Sequence, residues 1–82
     1  MLRNQGQLRR IPTATESRVI ELVARGFKNR EVAQELGTTE FMVKNHLRAI
    51  YDKLGLWNRV ELALWYEARK HEASASTPAR WD

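Results

Sequence analysis

The 82-residue sequence contains no cysteine, and no apolar run in it approaches the ~20 residues of a membrane-spanning helix. Without cysteine, neither disulfides nor a thiolate zinc site can hold a small chain together. Residues 1–6 also lack the apolar stretch of a signal peptide. We therefore expect a cytoplasmic protein with no metal, no cofactor and no contact with a membrane.

Two features of catalytic sites are also missing. The sequence has no glycine-rich phosphate loop, and no pair of carboxylates stands in an apolar setting. Its length suffices for one small domain with a modest core. We therefore expect a binding domain and not an enzyme.

Positive charge is present but unevenly distributed. The formal net charge is +4 and the isoelectric point is about 10, which favours a polyanionic partner. Residues 1–12 hold Arg3, Arg9 and Arg10 without any acidic residue, and they are predicted to form a basic arm. Residues 13–71 are only mildly basic, so the placement of their charges, and not the net charge, must indicate whether the partner is a nucleic acid. Residues 72–82 are small, polar and proline-containing, which predicts a flexible tail.

Capping residues and helical spacing of apolar residues predict four helices and no strand, an all-α fold. Thr13 and Glu16 form a capping box that opens helix 1, which Gly26 ends. Helix 2 is predicted to begin at the cap Asn29 and to end at Gly37, and helix 4 to run from the cap Asn58 to about His71. Helix 3 is predicted from Glu40 to about Leu54, with Thr39 as its cap and Gly55 as its end.

Helix 3 has two different faces. Its apolar residues fall on one stripe that is predicted to be buried, namely Val43, Leu47, Ile50 and Leu54. Phe41, Asn45, Arg48 and Asp52 lie on the opposite side, flanked by Lys44. This outward face can simply be solvated, but arginine, lysine and asparagine are also the side chains that bond base edges in the major groove. The short glycine-containing turn before it and the exposed Phe41 favour a helix-turn-helix that binds DNA. His46 lies between the two faces, where it can meet a phosphate or satisfy a backbone group.

Several motifs occur together at fixed spacing between Thr13 and about Glu67. They are Glu16 in the first turn, GFKNREVA at 26–33, VKNHL at 43–47, KLG at 53–55 and NRVE at 58–61. In this combination the sequence resembles the LuxR/FixJ/GerE family of helix-turn-helix regulators, and in detail the NarL-type effector domain. The resemblance covers roughly two thirds of the chain.

This resemblance implies a sequence-specific transcription regulator whose partner is double-stranded DNA. Helix 3 would be the recognition helix, with base-reading positions at Lys44, Asn45 and Arg48. The implied residues near phosphates are Asn29, Arg30 and Thr39, to which His46 is added as a candidate. Phe41 and Met42 depart from the usual family pattern, and Phe41 is a candidate for contact with a thymine methyl group. Pro12 also departs from the family pattern, so the exact first residue of helix 1 stays undetermined at this point.

Members of this family commonly carry a further N-terminal domain, for which this sequence has no room. The chain is either a naturally single-domain regulator, as the GerE type is, or an excised effector domain. The initial Met1 favours the first interpretation.

Helix 4 carries two apolar stripes, of which a four-helix domain needs one. Val60, Leu64 and Ala68 form the first, and Leu62, Trp65 and Tyr66 form the second. We assign the second stripe to a homodimer face that forms or strengthens on DNA, in agreement with the resemblance. The alternative is that Leu8 and Ile11 of the arm cover this stripe within one chain.

A second class of function uses the same fold. A helix-turn-helix domain can bind a protein of the transcription machinery, such as RNA polymerase, through Phe41 and Met42 or through Trp65 and Tyr66. Such a module has no need of Lys44, Asn45 and Arg48 together, whereas a protein that reads the major groove does. The sequence therefore favours DNA as the partner.

Overall fold

The computed structural model describes residues 11–75, so residues 1–10 of the predicted basic arm and residues 76–82 of the predicted tail lie outside this range. This part of the chain holds four helices and no strand, which confirms the all-α prediction. In chain order they are α1 (Ala14–Ala24), α2 (Asn29–Leu36), α3 (Glu40–Leu54) and α4 (Arg59–Ala75). None of these helices has the length and apolar character needed to cross a bilayer.

The capping box at the start of α1 is present as predicted. The Glu16 backbone N–H donates to the Thr13 hydroxyl at 3.1 Å, and the Thr13 N–H donates to the Glu16 carboxylate at 2.9 Å. These bonds satisfy two amides that a helix start leaves without partners. Thr13 therefore fixes where α1 begins, and Pro12 lies outside the helix.

The first residue of α2 differs from the prediction. Lys28, and not Asn29, occupies the capping position, and the Glu31 carboxylate accepts a hydrogen bond from the Lys28 N–H at 2.8 Å. The acidic side chain in the first turn thus satisfies the helix start, which frees the Asn29 side chain for another contact. Gly37 ends α2 with a φ of 67°, a left-handed conformation that costs other residues energy.

The bounds of α3 are those predicted, whereas α4 is longer than predicted. The Thr39 hydroxyl accepts from the Met42 N–H at 3.1 Å at the start of α3, and Gly55 ends that helix. Asn58 caps α4 by accepting from the Glu61 N–H at 2.9 Å. The helix then continues to Ala75, past the predicted end at His71, so residues 72–75 are helical.

A single apolar core joins the four helices. α1 packs chiefly on α4, and α2 packs on α3. The buried members of this core are Val19, Ile20, Leu22, Val23, Val32, Ala33, Val43, Leu47, Ile50 and Leu62. The buried stripe predicted for α3 is confirmed, with Leu54 packed at its edge.

The predicted dimer face on α4 has one of its three residues in the core and the other two partly buried. Leu62 has no exposed surface, and Trp65 and Tyr66 are half-buried against the core. Each ring also has a cation over one face: the Arg69 guanidinium carbon lies 5.1 Å from the Trp65 ring centroid, and the Lys70 ammonium lies 5.4 Å from that of Tyr66. Helical spacing gives two apolar stripes but not their orientation, and contact with α1 selects the bulkier one for the core.

The other stripe of α4 is the exposed one. Val60 is 68% exposed and Leu64 is 64% exposed. In the predicted alternative the arm covers the Trp65 stripe; Ile11 is exposed but lines the same two open pockets as Trp65, and Leu8 lies outside the described residues.

One ion pair connects the beginning of α1 to the end of α3. The Lys53 ammonium lies 2.6 Å from the Glu16 carboxylate, and both side chains are largely buried. Burial raises the pKa of the Glu16 carboxyl, but hydrogen bonds from Lys53 and Thr13 and the positive charge of Lys53 outweigh it. The pKa therefore lies below its ordinary value of 4.5.

Candidate nucleic-acid interface

The core holds α3 along one side and leaves its other side in solvent. Val43, Leu47 and Ile50 are buried, so the helix can neither roll nor slide without breaking the core. The row of predicted outward residues is exposed along its whole length, namely Phe41, Asn45, Arg48 and Asp52. Lys44 beside this row is exposed as well. The prediction of two faces on this helix is thus confirmed.

The exposed cations near the outward face of α3 differ from those of α1, whose arginines have an acidic partner nearby. On α1, Arg18 lies 3.4 Å from the Glu21 carboxylate, and Arg25 at the helix end lies 3.7 Å from the same residue. The remaining exposed cations at the site are Lys28, Arg30, Lys44 and Arg48. Among the side chains described in residues 11–71, no carboxylate lies within 4.0 Å of any of these four. Their charges are therefore open to an anionic partner.

A network of hydrogen bonds holds the start of α2 against the start of α4. The Arg59 guanidinium donates to the Asn29 side-chain oxygen at 2.6 Å and to the Phe27 carbonyl at 2.8 Å. Asn29 was predicted to lie near a phosphate, and its amide N–H₂ still has donors left for one. Arg59 has a positioning role that the sequence prediction missed, because its partners lie 30 and 32 residues away in the chain.

Thr39 and His46 are also placed at the edges of α3. The Thr39 oxygen accepts the capping bond, which leaves its hydroxyl hydrogen free to donate to a phosphate. His46 is half-buried beside the exposed Asn45, between the core and the outward face as predicted. Its contact with a phosphate stays a prediction.

An open groove runs along the C-terminal half of α3. One wall is that half of the helix, and the other is the connection to α4. The lining residues are Asn45, Arg48, Ala49, Tyr51, Asp52, Gly55, Leu56 and Trp57. Burial raises the pKa of the Tyr51 phenol, only partly offset by the charge of Arg59, so this hydroxyl stays neutral at physiological pH.

Trp57 is the most exposed large apolar side chain of the described residues, with 84% of its surface in solvent. Its backbone is nevertheless fixed, because its N–H donates to the Glu61 carboxylate at 2.7 Å. The sequence prediction missed this residue. It lies in the connection before α4, where helical periodicity gives no signal.

Comparison with known proteins identifies the domain. The family model for bacterial regulatory proteins of the luxR family matches residues 12–66. The chain is 38% identical over 53 residues to the nitrate/nitrite response regulator protein NarL of Escherichia coli K12, a match that covers 65% of the chain and 24% of NarL. It is 41% identical over 59 residues to the transcriptional regulatory protein YdfI of Bacillus subtilis, covering 72% of the chain and 26% of that protein.

A third relative is the HTH-type transcriptional regulator MalT of Vibrio campbellii, 41% identical over 49 residues, which are 60% of this chain and 5% of MalT. The chain thus spans about a quarter or less of these relatives. All of them are named as regulators, and the family match covers α1 to the first half of α4. The chain therefore belongs to the luxR family of bacterial regulatory proteins, and its four helices form a DNA-binding helix-turn-helix domain of the kind found in transcription regulators.

Proposed function

We propose that this domain reads a specific DNA sequence by placing α3 in the major groove. The observation that carries the proposal is the exposed row on α3, held in one orientation by a fully buried opposite face. Arg48 and Lys44 can donate to guanine O6 and N7, and Asn45 can pair with adenine. Phe41, which is 68% exposed at the start of the row, has the apolar surface that contact with a thymine methyl group requires.

Residues around the two helix starts would hold the backbone of the duplex. Asn29 and Arg30 lie at the start of α2, and Thr39 lies at the start of α3. Each keeps at least one donor for a phosphate oxygen, and the half-buried His46 adds another candidate. Contacts of this kind set the position of α3 in the groove but carry no base information.

The test begins with selection of a preferred sequence from a random duplex pool. We expect Lys44→Ala and Arg48→Ala each to weaken binding to the selected duplex by ~1–3 kcal/mol, the value of a good base contact. Arg18→Ala is the matched control, because it removes an exposed arginine whose partner is Glu21. Unchanged affinity in both α3 variants, with the helix content retained, would contradict the proposal and favour a protein partner.

The exposed stripe of α4 supports a second part of the proposal, pairing of two copies on DNA. Val60 and Leu64 leave apolar surface in solvent that the core does not use. One helix face is small for a lasting interface, so we expect a weak dimer that two adjacent half-sites strengthen. Twofold pairing implies half-sites related by about one helical turn, ~10 bp, or a multiple of it.

Leu64→Ser and Val60→Ser should reduce cooperative occupancy of a duplex with two half-sites while leaving affinity for one half-site unchanged. Sedimentation of the parent domain with the longer duplex measures the stoichiometry directly. One protein per duplex at saturation would exclude pairing.

The remaining parts of the proposal concern the setting of the domain. Regulation of transcription requires access to the chromosome, which is consistent with a cytoplasmic location. RNA polymerase remains a predicted partner for which no surface is assigned.

A further inference from the structure

The groove beside α3 has an unusual composition for a surface that faces a polyanion. Arg48 supplies a cation on one wall, Asp52 supplies a carboxylate four residues later, and Trp57 supplies a large apolar ring opposite them. Asp52 is exposed, and no cation lies within 4.0 Å of it among the described side chains. A phosphate deep in this groove would meet that negative charge. The groove therefore suits a part of the DNA strand that is not ionised.

The backbone that carries Trp57 is held beside this groove. Glu61 fixes its backbone N–H, and Asn58 next to it caps α4, so the connection is anchored on both sides of the ring. The groove also shares Asn45 and Arg48 with the proposed base-reading row. A duplex seated on α3 would continue directly into the groove, since the major groove that holds a helix is bordered by both sugar-phosphate strands.

We propose that Trp57 packs against the deoxyribose of the DNA strand that borders α3, and so extends the DNA interface beyond the recognition helix. This inference rests on the proposed placement of α3 in the major groove. The indole ring covers the sugar, its N–H remains available to a phosphate at the groove edge, and Asp52 keeps phosphates out of the interior. A sugar contact carries no base information, so Trp57 contributes affinity and not sequence preference.

The test compares Trp57→Ala, Trp57→Phe and Trp57→Lys with the parent domain on a duplex carrying one selected half-site. We expect Trp57→Ala to bind about tenfold more weakly, which corresponds to ~1.4 kcal/mol. The loss should be the same on a scrambled duplex, and Trp57→Phe should retain most of the affinity. Ile11→Ala is the matched control, because it removes an exposed apolar side chain that does not line this groove and should leave this affinity unchanged.

Salt dependence distinguishes an apolar contact from an ionic one. The logarithm of the binding constant falls with the logarithm of salt concentration by roughly 0.9 per phosphate contact. The slope for Trp57→Ala should equal that of the parent. The slope for Trp57→Lys should be steeper by about 0.9, the value for one added phosphate contact. A flatter slope for Trp57→Ala would overturn the proposed sugar contact.

Three other outcomes are decisive. If Trp57→Ala binds one half-site as tightly as the parent, Trp57 does not touch DNA. If its affinity falls only on a duplex with two half-sites, the ring belongs to the contact between copies, and the inference is again wrong. If the parent binds neither the duplex with one half-site nor the duplex with two, the proposed function fails, and this result is distinct from the first two. Protection of the parent from iodide quenching by DNA, absent in Trp57→Phe, would confirm the contact.

Discussion

Removing either member of the Glu16–Lys53 pair should destabilise the whole domain. The two charged atoms lie 2.6 Å apart in a largely buried position, where the loss of one partner leaves the other poorly solvated. Breaking a fully buried pair costs about 3–5 kcal/mol. Lys53 retains some access to water, with 18% of its side chain exposed, so we expect about 2 kcal/mol for Lys53→Met or Glu16→Gln.

This loss would be easy to measure in a domain of this size. A change of 1 kcal/mol shifts Tm by roughly 4–8 °C in domains of 60–100 residues, so each variant should melt about 8–16 °C below the parent. Thermal unfolding followed by circular dichroism gives these values. The double variant Glu16→Gln/Lys53→Met should lose less than the sum of the single losses, because no unpaired charge remains. Additive losses would refute the argument that the pair acts as a unit.

The same pair predicts how stability depends on pH. The pKa of Glu16 is lower in the folded than in the unfolded chain, so its contribution is complete above its unfolded value of 4.5. The contribution disappears as the pH falls through the lower, folded pKa. The difference in unfolding free energy between the parent and Glu16→Gln should therefore become smaller as the pH falls below 4.5. A gap that stays constant down to the acid transition would contradict this assignment.

Other substitutions test the positions of single residues. Leu62→Ala should lower the free energy of unfolding by ~2–5 kcal/mol, because this side chain is fully buried. Leu64→Ala should leave Tm nearly unchanged, because Leu64 is exposed. Equal losses for the two variants in chemical denaturation would contradict the assignment of the stripes. Arg59→Met should lower Tm and accelerate amide exchange at the start of α2, because Asn29 loses its partner, and unchanged exchange would show that this contact contributes little. Gly55→Ala should cost ~1 kcal/mol from its φ of 73° alone, measured by urea unfolding, and no loss would mean that another residue ends α3.

Local chemistry in the sequence accounts for most of the fold. Thr13 with Glu16, Thr39 and Asn58 satisfy helix starts with side chains only a few residues away, so their caps can be recognised without any tertiary information. Gly37 and Gly55 likewise end helices through their own backbone freedom. The two faces of α3 follow from helical periodicity, because this helix carries one apolar stripe and one polar row. The exposed base-reading candidates were therefore predictable as surface residues.

Tertiary structure decided what periodicity left undetermined. Helix α4 has two apolar stripes, and only its contact with α1 places Leu62 inside and Val60 and Leu64 outside. The partners of Arg59 and Lys53 lie 30 or more residues away, so no local rule connects them. Trp57 is identified as a candidate DNA contact only by its place in the groove between α3 and the connection to α4. Caps and turns depend on neighbours in the chain, whereas the choice between two apolar faces depends on which one another helix covers.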